Sequence, residues 1–256
     1  MAAASQALTP MPWTYEAEGI RHEVHVVGDG AAKPALLLMH ELPGMTPQCL
    51  DLARRLEAQG FVVYLPLLLG KPGKRATWMN IGRLCVGWEF TQFCQRAGFP
   101  VTRWLRALGR ELSARHGDRP IGVIGMCLTG GFVLSLVADR HVLAAVSCQP
   151  AYPLPIGGLE RALGVTWHDM HHAARNSRCR VLGLRFEHDA ASPPERFAFL
   201  AALLGPRFRA ITLRSDTPWI ERNAHAVLTE AYRDWPDHPT RQAFDEVVAF
   251  LHTQLG

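Results

Sequence analysis

The sequence predicts an α/β protein: a mostly parallel sheet with helices on both faces, in a single domain. Three observations carry that reading. Short, continuously apolar runs recur along the 256 residues, as strands buried on both faces require. Helical segments alternate with them, the order of a parallel sheet joined by crossover helices. Glycine, proline or a capping residue punctuates the transitions. No internal repeat, low-complexity tract or long polar linker divides the chain.

Residues 1–12 read as a flexible N-terminal tail and 13–256 as the domain. HEVHVVG (22–28) alternates like an exposed strand, and PALLLMH (34–40) is the first buried strand. TPQCLDLARRLEAQG (46–60) reads as a helix, with Thr46 as its N-cap and Gly60 as its stop. FVVYLPLLLG (61–70) is the second buried strand. Residues 77–95 are rich in Trp and Phe and read as helix and loop. RWLRALGRELSARHG (103–117) is helical, and IGVIGM (121–126) is the third buried strand, with the helix LTGGFVLSLVADR directly behind it. VLAAVSC (142–148), VLGLRF (181–186) and FRAITLR (208–214) complete the strands. PPERFAFLAALLG (193–205) and the amphipathic TRQAFDEVVAFLHTQL (240–255) are helices.

Composition excludes several classes. Hydrophobic residues make up 48% and charged residues 20%, with a net charge of +4 and twelve histidines. The charge is dispersed, without a Lys/Arg run, so nucleic acid is not expected as a partner. No apolar window is long enough for a membrane span, and the first residues lack the pattern of a secretory signal. Six cysteines, at 49, 85, 94, 127, 148 and 179, form no CxxC pair. Reduced thiols and a cytoplasmic location are expected, in a monomer or small homo-oligomer.

In sheets of this kind ligands bind at the carboxyl ends of the strands. Cys127 follows a buried strand and opens a helix. Gly125, Cys127 and Gly130 form G-x-C-x-x-G, the G-x-S-x-G turn with one more residue before the last glycine. Small residues allow a tight turn, and the helix amino end offers free N–H groups and positive potential. The competing reading is a buried structural cysteine. A nucleophile needs a base, and the base an orienting group. Asp189, in FEHDAASP (186–193), lies just past a strand end, with His188 adjacent. His225, in RNAHAVL (222–228), lies beyond the last strand. The order nucleophile, acid, histidine is the order expected of a nucleophile-elbow hydrolase. LLLMHELPG (37–44) places His40 and Glu41 where the first buried strand stops, with Glu41 expected close to Cys127. That loop and the residue after the nucleophile nominate the Leu42 and Leu128 backbone N–H groups as an oxyanion hole.

The chain resembles the dienelactone hydrolase family of α/β-hydrolases. HELPG (40–44), AQGFVVYLPLLLG (58–70), GMCLTGG (125–131), EHDAASP (187–193) and NAHAVL (223–228) carry the resemblance. It implies the α/β-hydrolase fold and a Cys127–His225–Asp189 triad acting on a small-molecule ester or lactone. It also implies that Glu41 holds the resting thiol and takes part in forming the thiolate when substrate binds. No metal or organic cofactor is needed. A thiolate nucleophile suits activated acyl groups such as lactones, enol esters and thioesters.

The chain also departs from that family. Members acting on dienelactone hold the substrate carboxylate with arginines, one of them four residues after the histidine, where this chain has Thr229. Arg83 lies in the region of the other, in surroundings that do not match. The acidic lactone is therefore not the expected substrate. The segment 77–94 reads equally as a pocket wall, a cap or ordinary core. His168, His171 and His172 share a helix face at a spacing zinc can use, but a third-ligand pattern is missing and a solvated helix is the better reading. Two competing readings stand beside the hydrolase: a non-catalytic ligand- or partner-binding α/β-hydrolase-fold protein, and a thiol redox protein pairing Cys127 with Cys148.

Overall fold

The structure is a computed structural model that describes residues 12–77, 100–151, 165–176 and 178–256. Strands β1 (Trp13–Ala17), β2 (Ile20–Val27), β3 (Ala35–Met39), β4 (Val62–Pro66), β5 (Ile121–Met126), β6 (Val142–Cys148), β7 (Arg180–Phe186) and β8 (Phe208–Leu213) form one sheet. Their spatial order is β1-β2-β4-β3-β5-β6-β7-β8. The six strands from β4 to β8 in that order are parallel, whereas β1 and β2 run antiparallel to their neighbours.

Helices α1 (Pro47–Ala58), α2 (Pro100–Arg115), α3 (Leu128–Val137), α4 (Trp167–Arg175), α5 (Pro194–Leu204) and α6 (Pro239–Leu255) cover both faces. Side chains alternate along a strand, so each buried strand feeds two cores. Leu37 and Met39 of β3 point into one, with Trp104 and Leu108 of α2 and Phe132 of α3. Leu36 and Leu38 point into the other, with Leu52 of α1 and Val247 of α6. This double burial is why β3, β4 and β5 read as unbroken apolar runs.

The first buried strands sit side by side at the sheet centre, with β3 between β4 and β5. The chain runs from β3 outward to β4, then crosses back to β5. The carboxyl ends of β3 and β5 are therefore the topological switch point, the place at which open α/β sheets bind ligands.

Three elements differ from the sequence reading. β1 was not expected. It pairs with β2 through Glu18 and Gly19, both at positive φ (55° and 74°). That is the conformation of a tight hairpin turn, here without the Asn-Gly signature that makes such turns legible. β4 stops at Pro66 rather than running to 70, because the Leu68 and Leu69 N–H groups donate to His40 Nε2 instead of to a strand (3.1 and 3.2 Å). α2 (Pro100–Arg115) already includes Pro100, three residues ahead of the expected start. Residues 1–11 and most of the aromatic segment 77–95, with Arg83, lie outside the described residues.

Candidate active site

The turn between β5 and α3 is shaped by its small residues. Cys127 has φ 55° and ψ −120°, the first central position of a type II′ turn, which glycine usually fills. Backbone bonds hold it there. The Cys127 N–H donates to the Cys148 carbonyl (3.1 Å), and the Cys127 carbonyl accepts from Gly130 N–H (3.0 Å) and Ala151 N–H (2.9 Å). A Cβ on Gly125 would overlap the Thr129 carbonyl, and one on Gly130 would lie 2.8 Å from the Cys148 carbonyl oxygen. The glycines are required by close approach of backbone to backbone. The sulfur-bearing residue remains partly exposed in this turn.

Thr129 ties the turn to the end of β3. Its hydroxyl accepts from Met126 N–H (2.9 Å) and lies within reach of the Met39 and His40 carbonyls (3.1 and 3.2 Å). Sequence reasoning missed Thr129, although a threonine two residues after a candidate nucleophile was open to inspection. Leu128 is the first residue of α3, where N–H groups lack partners inside the helix. Leu42 is half-buried beyond the end of β3, packed against the core on the α2–α3 face.

Asp189 lies in the loop after β7 and is 4% exposed. Its Oδ1 accepts from the Ala191 and Ser192 N–H groups (3.0 and 3.2 Å). Its Oδ2 accepts from His225 Nδ1 at 2.7 Å. A carboxylate can only accept, so the Nδ1 proton is fixed and Nε2 is the free face of the ring. Two buried arginines brace the loop. Arg185 donates to the Ser192 and Glu187 carbonyls (2.8 and 3.0 Å). Arg196 donates to the Ala191 carbonyl and to Pro150 O (2.7 Å). The arginine inside the apolar run VLGLRF was the available signal for that brace.

Burial lowers the basicity of the His225 ring, but its bonds to Asp189 and to the Cys127 thiol outweigh this and raise its pKa to about 10. Cys127, His225 and Asp189, nominated from strand ends, thus come together. His188, adjacent to Asp189, turns away and pairs with Ser215 Oγ (3.0 Å).

Glu41 is 6% exposed. The contacts of its carboxyl among the described residues are to Gln149 Nε2 (2.9 Å) and Thr229 Oγ1 (3.0 Å), not the resting thiol contact that the resemblance implies. Burial pushes its pKa up, and His225, Thr229, Arg75 and Gln149 pull it partly back. His40 is structural: Nδ1 faces the Glu41 carbonyl (2.7 Å), Nε2 takes the Leu68 and Leu69 N–H groups, and burial lowers its pKa to about 4. Cys148 is fully buried, and burial followed by Glu41 pushes its thiol well above the ordinary range. His168, His171 and His172 are exposed on α4. Among the described residues no cluster of three or more His, Cys, Asp or Glu is arranged to hold a metal ion, and no helix is long and apolar enough to cross a membrane.

The sequence model of the dienelactone hydrolase family matches residues 23–251. The chain belongs to the dienelactone hydrolase family. The match spans every strand from β3 to β8, all five segments that carry the resemblance, and the three residues of the Cys127 cluster. Solved structures of the same fold include dienelactone hydrolase from Anabaena variabilis, at 15% identity, covering 96% of this chain and 98% of that one, with TM-score 0.64. A cold-adapted esterase from an Arctic intertidal metagenomic library is 18% identical, covers 100% of both chains and has TM-score 0.65. The thioesterase domain from the curacin biosynthetic pathway is 10% identical, covers 95% of this chain and 100% of that one, and has TM-score 0.60. At these identities the likeness establishes the α/β-hydrolase fold. No curated protein sequence matches the chain. Within this dienelactone hydrolase family member, Thr229 stands where the resemblance implies a substrate arginine, and its hydroxyl is committed to Glu41.

Proposed function

We propose that the protein hydrolyses a carboxylic ester or lactone through Cys127, His225 and Asp189, by way of an acyl-thioester. The observation that carries this reading is the 2.7 Å bond from His225 to the buried Asp189, with a cysteine on a strained turn acting on the same ring. Strained backbone is held where surrounding structure over-determines it, and such places concentrate at reactive sites.

In the first half-reaction the Cys127 sulfur, its proton on His225, attacks the substrate carbonyl carbon. The Leu42 and Leu128 N–H groups receive the developing oxyanion; in comparable sites one such donor contributes about 3–4 kcal/mol. The tetrahedral intermediate collapses, and His225 passes its proton to the leaving alcohol oxygen. In the second half-reaction His225 takes a proton from water, which attacks the thioester and returns the thiol. Asp189 holds the ring in the tautomer both steps need. The ring's raised pKa, from Asp189 and Cys127 together, favours the imidazolium that forms beside the sulfur. Membership of the family supports an acyl hydrolase, and the uncharged Thr229 supports a substrate without the dienelactone carboxylate.

Hydrolysis of p-nitrophenyl acetate tests the proposal. Turnover should fall to background in Cys127→Ala and in His225→Ala, and by orders of magnitude in Asp189→Asn. Activity that persists in Cys127→Ala contradicts the mechanism; a well-folded wild type without activity toward a wide ester and lactone panel favours a binding module instead.

A further inference from the structure

Glu41 is a buried carboxylate that takes no part in the acyl-transfer steps. Glu41 Oε1 accepts from two uncharged donors, one just after β6 and one in the loop after β8. Gln149 directly follows Cys148, the residue whose carbonyl receives the Cys127 N–H. Thr229 lies four residues after His225. Gln149 is fully buried and holds φ 33°, and its own N–H donates to the Leu184 carbonyl (2.6 Å). A left-handed backbone at a buried glutamine is unfavourable and persists only where neighbours enforce it. Here that backbone delivers the amide to Glu41.

We propose that Gln149 and Thr229 are positioning residues that together hold the Glu41 carboxylate, by its Oε1, in one orientation. The inference rests on reading Cys127, His225 and Asp189 as a hydrolytic site. Burial alone drives a carboxyl toward its neutral form, and hydrogen bonds donated to the anion favour the anion. The charged and titratable groups that face Glu41 are His225 from the loop after β8, Arg75 from the loop after β4, Cys49 from α1 and Cys148 from β6. Arg75 is itself ion-paired with Glu230. The two donors in hydrogen-bond contact carry no charge, so the clamp does not titrate; the group that changes state is Glu41.

The test is a carbon-13 NMR titration of the full-length protein labelled at glutamate side-chain carboxyls. The Glu41 resonance is assigned by its loss in Glu41→Gln. Thr229→Val, which keeps the shape and removes the hydroxyl, should raise the midpoint by about half a unit or more, about a threefold gain in proton affinity. Gln149→Met should move it the same way, and Thr229→Ser should restore it. The acidic limb of kcat/KM for p-nitrophenyl acetate should follow each shift. An unmoved Glu41 midpoint in a folded Thr229→Val protein overturns the proposal. A shifted midpoint in a protein whose esterase activity does not depend on Cys127 supports the clamp and removes the hydrolase reading, so the two failures are distinct.

Discussion

Cys127 sits in backbone geometry that suits glycine better than any residue with a Cβ. At φ 55° and ψ −120° a side chain meets its own peptide units, and such conformations cost on the order of 1–3 kcal/mol. The chain tolerates this because the turn is fastened by Cys148, Gly130, Ala151 and Thr129. If the strain is retained for reactivity, removing it should separate stability from activity. Cys127→Gly should be inactive and more stable than Cys127→Ala by about 1 kcal/mol, a rise of roughly 2–4 °C in melting temperature for a domain of this size. Thermal unfolding of the two variants side by side checks this; equal melting temperatures would mean that the turn holds the cysteine without strain.

At the scale of elements, the proposed site is an agreement among loops. The β5–α3 turn carries Cys127, the β7–α5 loop Asp189, and the loop after β8 His225. The Asp189–His225 bond at 2.7 Å joins the last two, so it contributes to stability as well as chemistry. The sign of its pH dependence follows from the ring's folded-state pKa, raised from 6.5 to about 10 by the bonds to Asp189 and Cys127 against the opposing effect of burial. The folded state holds the proton more tightly than the unfolded chain. That contribution is therefore complete below about pH 6.5 and is lost as pH rises toward 10. The melting-temperature difference between the wild type and His225→Gln should be largest at pH 6 and shrink steadily to pH 10. A difference that grows with pH contradicts a histidine held as imidazolium.

At the scale of the whole molecule, burial on both faces made the sheet legible. β3 and β5 carry no polar side chain, and β6 and β7 carry only Ser147, Arg180 and Arg185 among apolar residues, because helices cover them from two sides, and a run of that kind can be read without neighbours in space. β1 is the opposite case. Its side chains alternate between half-buried and exposed, and its Glu18-Gly19 turn lacks a strong dipeptide signature, so only the pairing with β2 reveals it. Cys127, Asp189 and His225, the residues of the proposed triad, could be nominated from the sequence because each follows a strand end in the expected chain order. Gln149 could not, since its role comes from a contact to a residue 108 positions away, and nothing local marks such a partner; Thr129 stood next to the nominated cysteine, but its reach to the end of β3, about 90 positions away, is not written locally. Glu41 was visible at the end of β3, but its bonds to Gln149 and Thr229 depend on how three strand ends converge.

The claim on which the account depends is that the Cys127 sulfur becomes acylated. Intact-mass and peptide mass spectrometry after rapid acid quench, across a panel of esters, lactones and thioesters, measures that directly. The account predicts a transient acyl adduct on Cys127 that accumulates in His225→Gln if deacylation slows more than acylation, and that is absent from Cys127→Ala. Turnover with no adduct on Cys127 under any quench, or an adduct on another residue that kinetically competent turnover requires, would contradict it.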